Sequence, residues 1–297
     1  MKNIGNHFRE INWVKKSDII ESLLEHDTSL NVVPLDSGLE AEVMKICSPE
    51  SNFVLKIWNK ESNPDVNIQY EILDVLYNQG IAVSKPLGWG LDENNDQVLL
   101  TSYDGTPINK LDKPKLYKLM KILSGIHKFP LEILGGSTIP KYDFISYFYP
   151  RLDEHPDIRN LLVQLHQSTN MKQDCLIHGD YNLGNILESD GKFTVIDWTN
   201  VQMGDPRYDI AWSIVLIWIY VSEKHCSIYR TAFLTENNCV ADELELFEAI
   251  ASLRWILLNR IANLPKRNNT ISRIKTILNK NKYLNEKLLK EEENYFS

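Results

Sequence analysis

The sequence predicts an α+β fold in two lobes: a smaller N-terminal lobe built on an antiparallel sheet with one main helix, and a larger, mainly helical C-terminal lobe. Three observations predict it. Between Asn31 and Trp58, short runs of strand-like residues are broken by Ser37-Gly38 and Ser48-Pro49, the pattern of strands joined by tight turns. From Asp112 onward the apolar residues recur at helical spacing instead. Between these regions lies the turn Asp104-Gly105-Thr106-Pro107, which sets the expected lobes at 1–104 and 105–297.

The elements follow in order. Ser17 is a good N-cap for a short amphipathic helix carrying Ile19, Ile20, Leu23 and Leu24. Asn31–Leu35, Leu39–Ile46 and Phe53–Trp58 read as three strands, and Gln97–Ser102 as a fourth. Between them, Asn63 as N-cap and Pro64 at the first helical position open a helix with Ile68, Ile72, Leu73 and Leu76 on one face, which stops at Gly80. In the second lobe Leu116, Leu119, Met120, Leu123 and Ile126 form the face of a helix that Asp112 caps and Pro130 ends. Further helices are expected at Pro156–Ser168, Pro206–Ser222, Val240–Leu264 and Ile271–Lys290, with strands only at Cys175–His178 and Phe193–Trp198. The charged end of the last helix reads as a solvated face.

Composition narrows the function. The chain has 297 residues, 43% of them hydrophobic and 24% charged, enough to bury a sizeable core. With 32 Lys+Arg against 40 Asp+Glu its net charge is −8, and no basic block is dense enough to follow a phosphate backbone, so nucleic acid is not an expected partner. The cysteines Cys47, Cys175, Cys226 and Cys239 lack metal-ligand spacing and are read as free thiols in a reducing, cytoplasmic setting. Met1–Trp13 is polar, without the apolar stretch of a signal peptide, and the longest apolar run, Ile210–Val221, is too short to span a bilayer, so neither export nor a membrane partner is expected.

The chemistry concentrates between Cys175 and Asp197, where the chain reads CLIHGDYNLGNILESDGKFTVID. Phosphoryl transfer needs an oriented acceptor hydroxyl, metal ions on phosphate oxygens and cationic or amide groups on the triphosphate. Asp180, then Asn185 five residues later, then Asp197 twelve beyond, supply a carboxylate that can accept a hydroxyl proton and two oxygen ligands of the kind Mg²⁺ prefers. A β-hairpin with ordinary turn residues is the alternative for this stretch alone. The turn Gly204-Asp205-Pro206, opening an apolar helix downstream, favours function.

HGDYNLGNIL, then VIDW, then GDPRYDIAW at Gly204–Trp212 resemble, in that order, the aminoglycoside phosphotransferase family, whose relatives include choline and homoserine kinases. The likeness is good from about Leu35 to Ser222 and thin outside it. It implies a bilobal protein-kinase-like fold, Asp180 as catalytic base, Asn185 and Asp197 as magnesium ligands, and His178 and Asp209 as supports of the catalytic loop. Upstream, Phe53-Val54-Leu55-Lys56 resembles the strand whose lysine steadies the α- and β-phosphates, with Glu71 on the next helix as its pairing carboxylate. Lys45 is the rival lysine, and Glu42, Glu61 and Asp74 are the other candidate partners. The phosphate loop is expected at Ser37–Glu42, where Gly38 is the single glycine; a GxGxxG fingerprint is absent and an ordinary hairpin turn remains open. The base of ATP or GTP is expected at main-chain groups of Thr101, Ser102 and Tyr103.

Only seven residues separate Asp197 from Asp205, too few for an activation segment that docks a polypeptide, so the expected partner is a small-molecule hydroxyl acceptor. Tyr142, Phe144, Tyr147, Phe148 and Tyr149 beside Asp143, Asp153 and Glu154 either hold an amine by cation–π contact or pack the lobe. His127 is read as a packing residue or a backbone partner, and Trp198, Trp212, Trp218 and Trp255 as packing of the helical lobe. Three readings stay open: a kinase for an aminoglycoside, amino sugar or similar polar acceptor, a kinase for an amino alcohol such as choline, or a non-catalytic nucleotide-binding protein of the same fold.

Overall fold

The computed structural model describes residues 8–25, 30–35, 41–59, 64–134, 139–237 and 239–289. The chain divides into two compact units: Met1–Pro107 with Glu132–Thr138 and Ile186–Thr199, and Ile108–Leu131 with Ile139–Asn185 and Asn200–Ser297. In the first unit the order is β1 (Asn12–Lys16), α1 (Asp18–Glu25), β2 (Asn31–Pro34), β3 (Ala41–Cys47), β4 (Asn52–Trp58), α2 (Val66–Asn78), β5 (Pro86–Leu91), β6 (Gln97–Ser102) and β7 (Thr106–Pro107). Then come α3 (Lys113–His127), α4 (Phe144–Phe148), α5 (Pro156–Ser168), β8 (Cys175–Ile177), β9 (Ile186–Ser189), β10 (Lys192–Val195), β11 (Gln202–Gly204), α6 (Pro206–Tyr220), α7 (Glu223–Glu236), α8 (Ala241–Ala262) and α9 (Thr270–Lys280). Of these, β9 and β10 belong to the first unit.

The first unit is a six-stranded antiparallel sheet in the order β1-β5-β6-β4-β3-β2. Alternation along β4 decides its two faces. Phe53, Leu55 and Ile57 join a core with Phe8, Ile20, Ile46, Val98 and Leu100, so Lys56 projects from the opposite face. That face carries α2: the Gln97 side chain on β6 accepts from the Val66 amide at 3.2 Å and donates to the Pro64 carbonyl at 2.7 Å, pinning the helix start. The N-cap is Asp65, whose carboxylate accepts from the Ile68 amide at 2.9 Å, so the helix opens after the expected Pro64; Asn63 lies outside the described residues.

Two strands of this sheet escape the sequence pattern. β5 contains Gly88 and Gly90 and is not among the expected strands; a Cβ at Gly90 would stand 2.4 Å from the Asn12 carbonyl oxygen and one at Gly88 2.6 Å from that of Lys15. Glycine is what lets β1 pair so closely with β5. Ser17 does precede α1, but its buried hydroxyl has no partner among the described residues, and its carbonyl instead accepts from the Ile20 amide at 2.9 Å.

The division of the chain is not a single cut after residue 104. The β9–β10 hairpin packs with the first unit because β9 pairs with β7 and Val195 bridges Val83. In the same stretch the expected strand Phe193–Trp198 ends at Val195, because Asp197 takes a left-handed φ of 64°.

The second unit is mainly helical, with β8 and β11 as a two-stranded ribbon. Asp112 caps α3 by accepting from the Lys115 amide at 2.9 Å. Helix α6 is apolar nearly all round and accordingly forms the centre of the unit, packed by α7, α8 and α9. Its end at Tyr220 corrects the expected end at Ser222, because Ser222 caps α7, accepting from the His225 amide at 3.3 Å. α7 was not expected; the buried set Cys226, Tyr229, Ala232 and Phe233 is its helical signature. No helix among the described residues is long and apolar enough to cross a membrane.

Leu100 is fully buried in the core of the first unit, whereas Val14 on β1 is 55% exposed. Leu100→Ala is expected to lower unfolding stability by about 2–5 kcal/mol and Val14→Ala by no more than about 0.5 kcal/mol, as read from urea unfolding followed by fluorescence.

Candidate active site

The catalytic-loop candidates are held from below by one carboxylate. Asp209, in the first turn of α6 and fully buried, accepts from the His178 amide through Oδ2 and from the Gly179 amide through Oδ1, both at 2.9 Å. His127, at the end of α3, adds Nε2 to the same Oδ2 at 3.1 Å. The expectation that His127 packs or meets a backbone group is corrected: its partner is this carboxylate. Burial pushes the Asp209 carboxyl up, but the hydrogen bond and charge of His127, the nearby His178 and the backbone donors outweigh it and hold it below the ordinary aspartate range.

Gly179 has φ 78°, and a Cβ there would meet the Asn200 carbonyl oxygen at 2.6 Å, so the turn into Asp180 depends on glycine. The amide of Asp180 donates to His178 Nδ1 at 3.2 Å. The Asp180 carboxylate is oriented on both oxygens: Trp212 Nε1 donates to Oδ1 at 2.7 Å, and the side-chain amides of Asn182 and Asn185 donate to Oδ2 at 3.1 Å and 3.0 Å. Trp212, expected as packing, is thus a direct partner of Asp180. Asn185 points its nitrogen at Asp180, which leaves its carbonyl oxygen as the atom able to take a hard cation.

In the first unit the partner of the candidate lysine differs from expectation. Lys56 Nζ lies 2.9 Å from Asp197 Oδ1, and the Thr199 hydroxyl donates to the same oxygen at 3.0 Å. Glu71 is 3.6 Å from Lys15 instead. The strand register gives the reason: Lys15, Trp89, Leu99 and Lys56 face one another in one row across β1, β5, β6 and β4. Three strand spacings, about 14 Å, therefore separate the two lysines. Glu71 stands on the β1 side of that row, so the expected Lys56–Glu71 pair is absent. Lys45 lies over the Tyr103 ring at 4.1 Å.

Gly38 lies outside the described residues. Thr101 and Ser102 end β6 and Tyr103 follows it; the Ser102 amide donates to the Lys85 carbonyl and the Tyr103 amide to that of Asn52. Of the aromatic cluster, Phe144, Phe148 and Tyr149 are buried, while Tyr142 and Tyr147 stack in parallel at 4.5 Å. The Tyr147 hydroxyl donates to Asn200 Oδ1 at 3.3 Å, beside the Gly179 turn. A cavity of about 690 Å³ opens elsewhere in the second unit, lined by His127, Cys175, Arg207, Asn237 and Phe247 among others, with neither Asp180 nor Asn185 in its wall.

The model of the APH phosphotransferase enzyme family matches residues 31–237, more than half of the chain. The chain belongs to the phosphotransferase enzyme family. It is a phosphotransferase. No curated protein sequence matches it. Among solved structures it resembles choline kinase LicA from Streptococcus pneumoniae (TM-score 0.61, 16% identity, covering 88% of this chain and 95% of that one). It is also similar to a thermostable mutant of aminoglycoside phosphotransferase APH(4)-Ia in ternary complex with AMP-PNP and hygromycin B (TM-score 0.62, 16% identity, 88% and 98% covered). The amicoumacin kinase hAmiN in complex with AMP-PNP, Ca²⁺ and Ami is a third such structure (TM-score 0.62, 14% identity, 85% and 89% covered). At these identities the likeness is one of fold, which is protein-kinase-like. The family match extends through α7.

Asp209→Asn places an amide N–H against a backbone N–H and should destabilise the second unit by about 1–3 kcal/mol at neutral pH. Because the folded carboxyl titrates below its unfolded value, its stabilisation is full above about pH 4 and is lost as pH falls through the lower folded value. The gap in melting temperature between parent and Asp209→Asn should therefore shrink in acid, as a pH series of thermal unfolding will show.

Proposed function

We propose that this enzyme transfers the γ-phosphoryl group of ATP or GTP to a hydroxyl of an aminoglycoside, an amino sugar or a similar polar small molecule. The observation that carries the reading is the Asp180 carboxylate, fixed by Trp212 on one oxygen and by Asn182 and Asn185 on the other, on a loop anchored by Asp209. The family relation and the AMP-PNP complexes of similar structures support the donor. The four unpaired cysteines agree with a cytoplasmic setting.

The donor set fits magnesium. A carboxylate and an amide oxygen are hard donors, and so small a protein set suits a cation that keeps several waters and takes substrate phosphates as ligands. Asp197 and the Asn185 carbonyl oxygen are the candidate protein ligands. The bound ion would neutralise charge on the phosphate oxygens. Asp180 hydrogen-bonds the acceptor hydroxyl and receives its proton as that oxygen bonds to the γ-phosphorus. The bond from phosphorus to the bridging oxygen then breaks and the nucleoside diphosphate leaves. Lys56, held by Asp197, is the candidate cation for the α- and β-phosphates, and the main chain of Thr101–Tyr103 is the candidate contact for the base. With the amides of Ser102 and Tyr103 already donated within the unit, other groups of that segment would meet it. Gly38 remains the candidate of the phosphate loop.

A second reading, phosphorylation of an amino alcohol such as choline, is favoured by the Tyr142–Tyr147 stack, an aromatic surface of the kind that attracts an alkylammonium group. A panel of amino sugars, aminoglycosides and amino alcohols, assayed by diphosphate release, separates the two. Nucleotide binding without turnover of any of them would instead favour a non-catalytic protein.

Asp180→Asn keeps shape but loses the base, so turnover should fall about 10²- to 10⁴-fold while Mg-nucleotide affinity changes little. Turnover within about threefold of the parent would remove Asp180 from the mechanism. Asp197→Ala deletes an oxygen ligand and the partner of Lys56, and should weaken Mg-nucleotide binding measured by calorimetry. Unchanged binding would refute the ligand assignment.

A further inference from the structure

Buried arginines ordinarily meet a carboxylate. Arg254 on α8 is only 7% exposed and, among the described residues, forms no ion pair; its Nη1 donates to the Gly179 carbonyl and to the Tyr208 hydroxyl, each at 2.9 Å. Its Nε has no partner among the described residues. The guanidinium lies between aromatic rings instead, 4.3 Å from the Trp212 centroid and 4.6 Å from that of Phe148. Burial works against its charge, and Tyr208 and Asp180 outweigh that, which marks Asp180 as an electrostatic neighbour.

Both sets of contacts lead to one carboxylate. Gly179 is the residue before Asp180, and its carbonyl is fixed by Arg254 while its amide is fixed by Asp209. Trp212 presents its ring to Arg254 and its Nε1–H to Asp180 Oδ1. A planar guanidinium can stack on a ring and donate in its own plane at once; a lysine ammonium can do one of these well, and an apolar residue would strand the Gly179 carbonyl.

We propose that Arg254 is a positioning residue for phosphoryl transfer, holding the Asp180 carboxylate in place through the Gly179 carbonyl and the Trp212 ring. The proposal rests on the reading of Asp180 as the base. It assigns to α8 a part in catalysis without contact with nucleotide or acceptor.

The test uses the full chain, Mg-nucleotide and an acceptor found in the panel, with Arg254→Lys, Trp212→Phe, their double variant and Asp180→Asn, each confirmed as folded by circular dichroism. Arg254→Lys and Trp212→Phe should each lower kcat by about 10- to 100-fold, leaving KM for nucleotide and acceptor within about twofold. The double variant should be no worse than about threefold below the lower single, because both changes break one linkage. In the Asp180→Asn background, Arg254→Lys should lower kcat no further. Multiplying effects in the double variant, a change in KM without one in kcat, or an undiminished effect in the Asp180→Asn background would overturn the proposal. If Arg254→Lys does not fold, Trp212→Phe decides: kcat at the parent level overturns it. A parent that turns over, an Asp180→Asn that does not, and unaffected Arg254 and Trp212 variants would sink this proposal alone. A parent that binds nucleotide and turns over no acceptor would sink the reading of Asp180 and this proposal together.

Discussion

A carboxylate with no access to water must be met by donors on its free lone pairs, and the Asp209 carboxylate meets this demand with two consecutive backbone amides and an imidazole. The rest of the second unit's chemistry follows from that constraint. Fixing the amides of His178 and Gly179 fixes the peptide planes that lead into Asp180, and a loop so anchored can aim its carboxylate without being part of a regular element. Asp209 itself is placed by a helix that is apolar nearly all round, largely buried, and started by Asp205 and Pro206. Rigidity thus passes from a hydrophobic helix to a polar loop through two hydrogen bonds to one charged group.

In the first unit, the period of the strand does the equivalent work. Because β4 must bury Phe53, Leu55 and Ile57, it must also turn Lys56 to the other face, where an ammonium at 19% side-chain exposure needs an anion. The anion it meets is Asp197, at the end of a hairpin whose pairing with β7 brings residues 186–199 into the unit. Asp197 reaches this place from a left-handed backbone conformation, uncommon outside glycine and tolerated by aspartate better than by most residues. The ion pair is therefore a product of strand pairing across a long stretch of sequence.

Much of this was legible in advance. Asp112 and Pro156 announced their helices because capping and first-turn chemistry is local, and Asp180, Asn185 and Asp197, the groups proposed for phosphoryl transfer, stood out as oxygen donors at recognisable spacing. The misses share a cause. β5 went unassigned because its glycines answer to β1, a strand about seventy residues earlier. His127 and Trp212 looked like packing because each sits on an apolar helix face, and nothing nearby in sequence tells that one will meet Asp209 and the other Asp180. Glu71 was a reasonable partner by order along the chain, but order does not give the row of the sheet on which a side chain stands.

By itself, then, the sequence determined the two-lobed α+β character, most helices and the family, and it supplied the acidic and amide groups proposed for the chemistry, because hydrophobic period, caps and short motifs act between neighbours in the chain. Tertiary structure decided which charges pair and which buried polar groups support them: Lys56 with Asp197, Glu71 with Lys15, His127 with Asp209, Arg254 with the Gly179 carbonyl. Hydrogen bonds and ion pairs act over only about 3–4 Å. Partners far apart in sequence come within that range only when strand register and helix packing have been set, so their identity is a property of the fold.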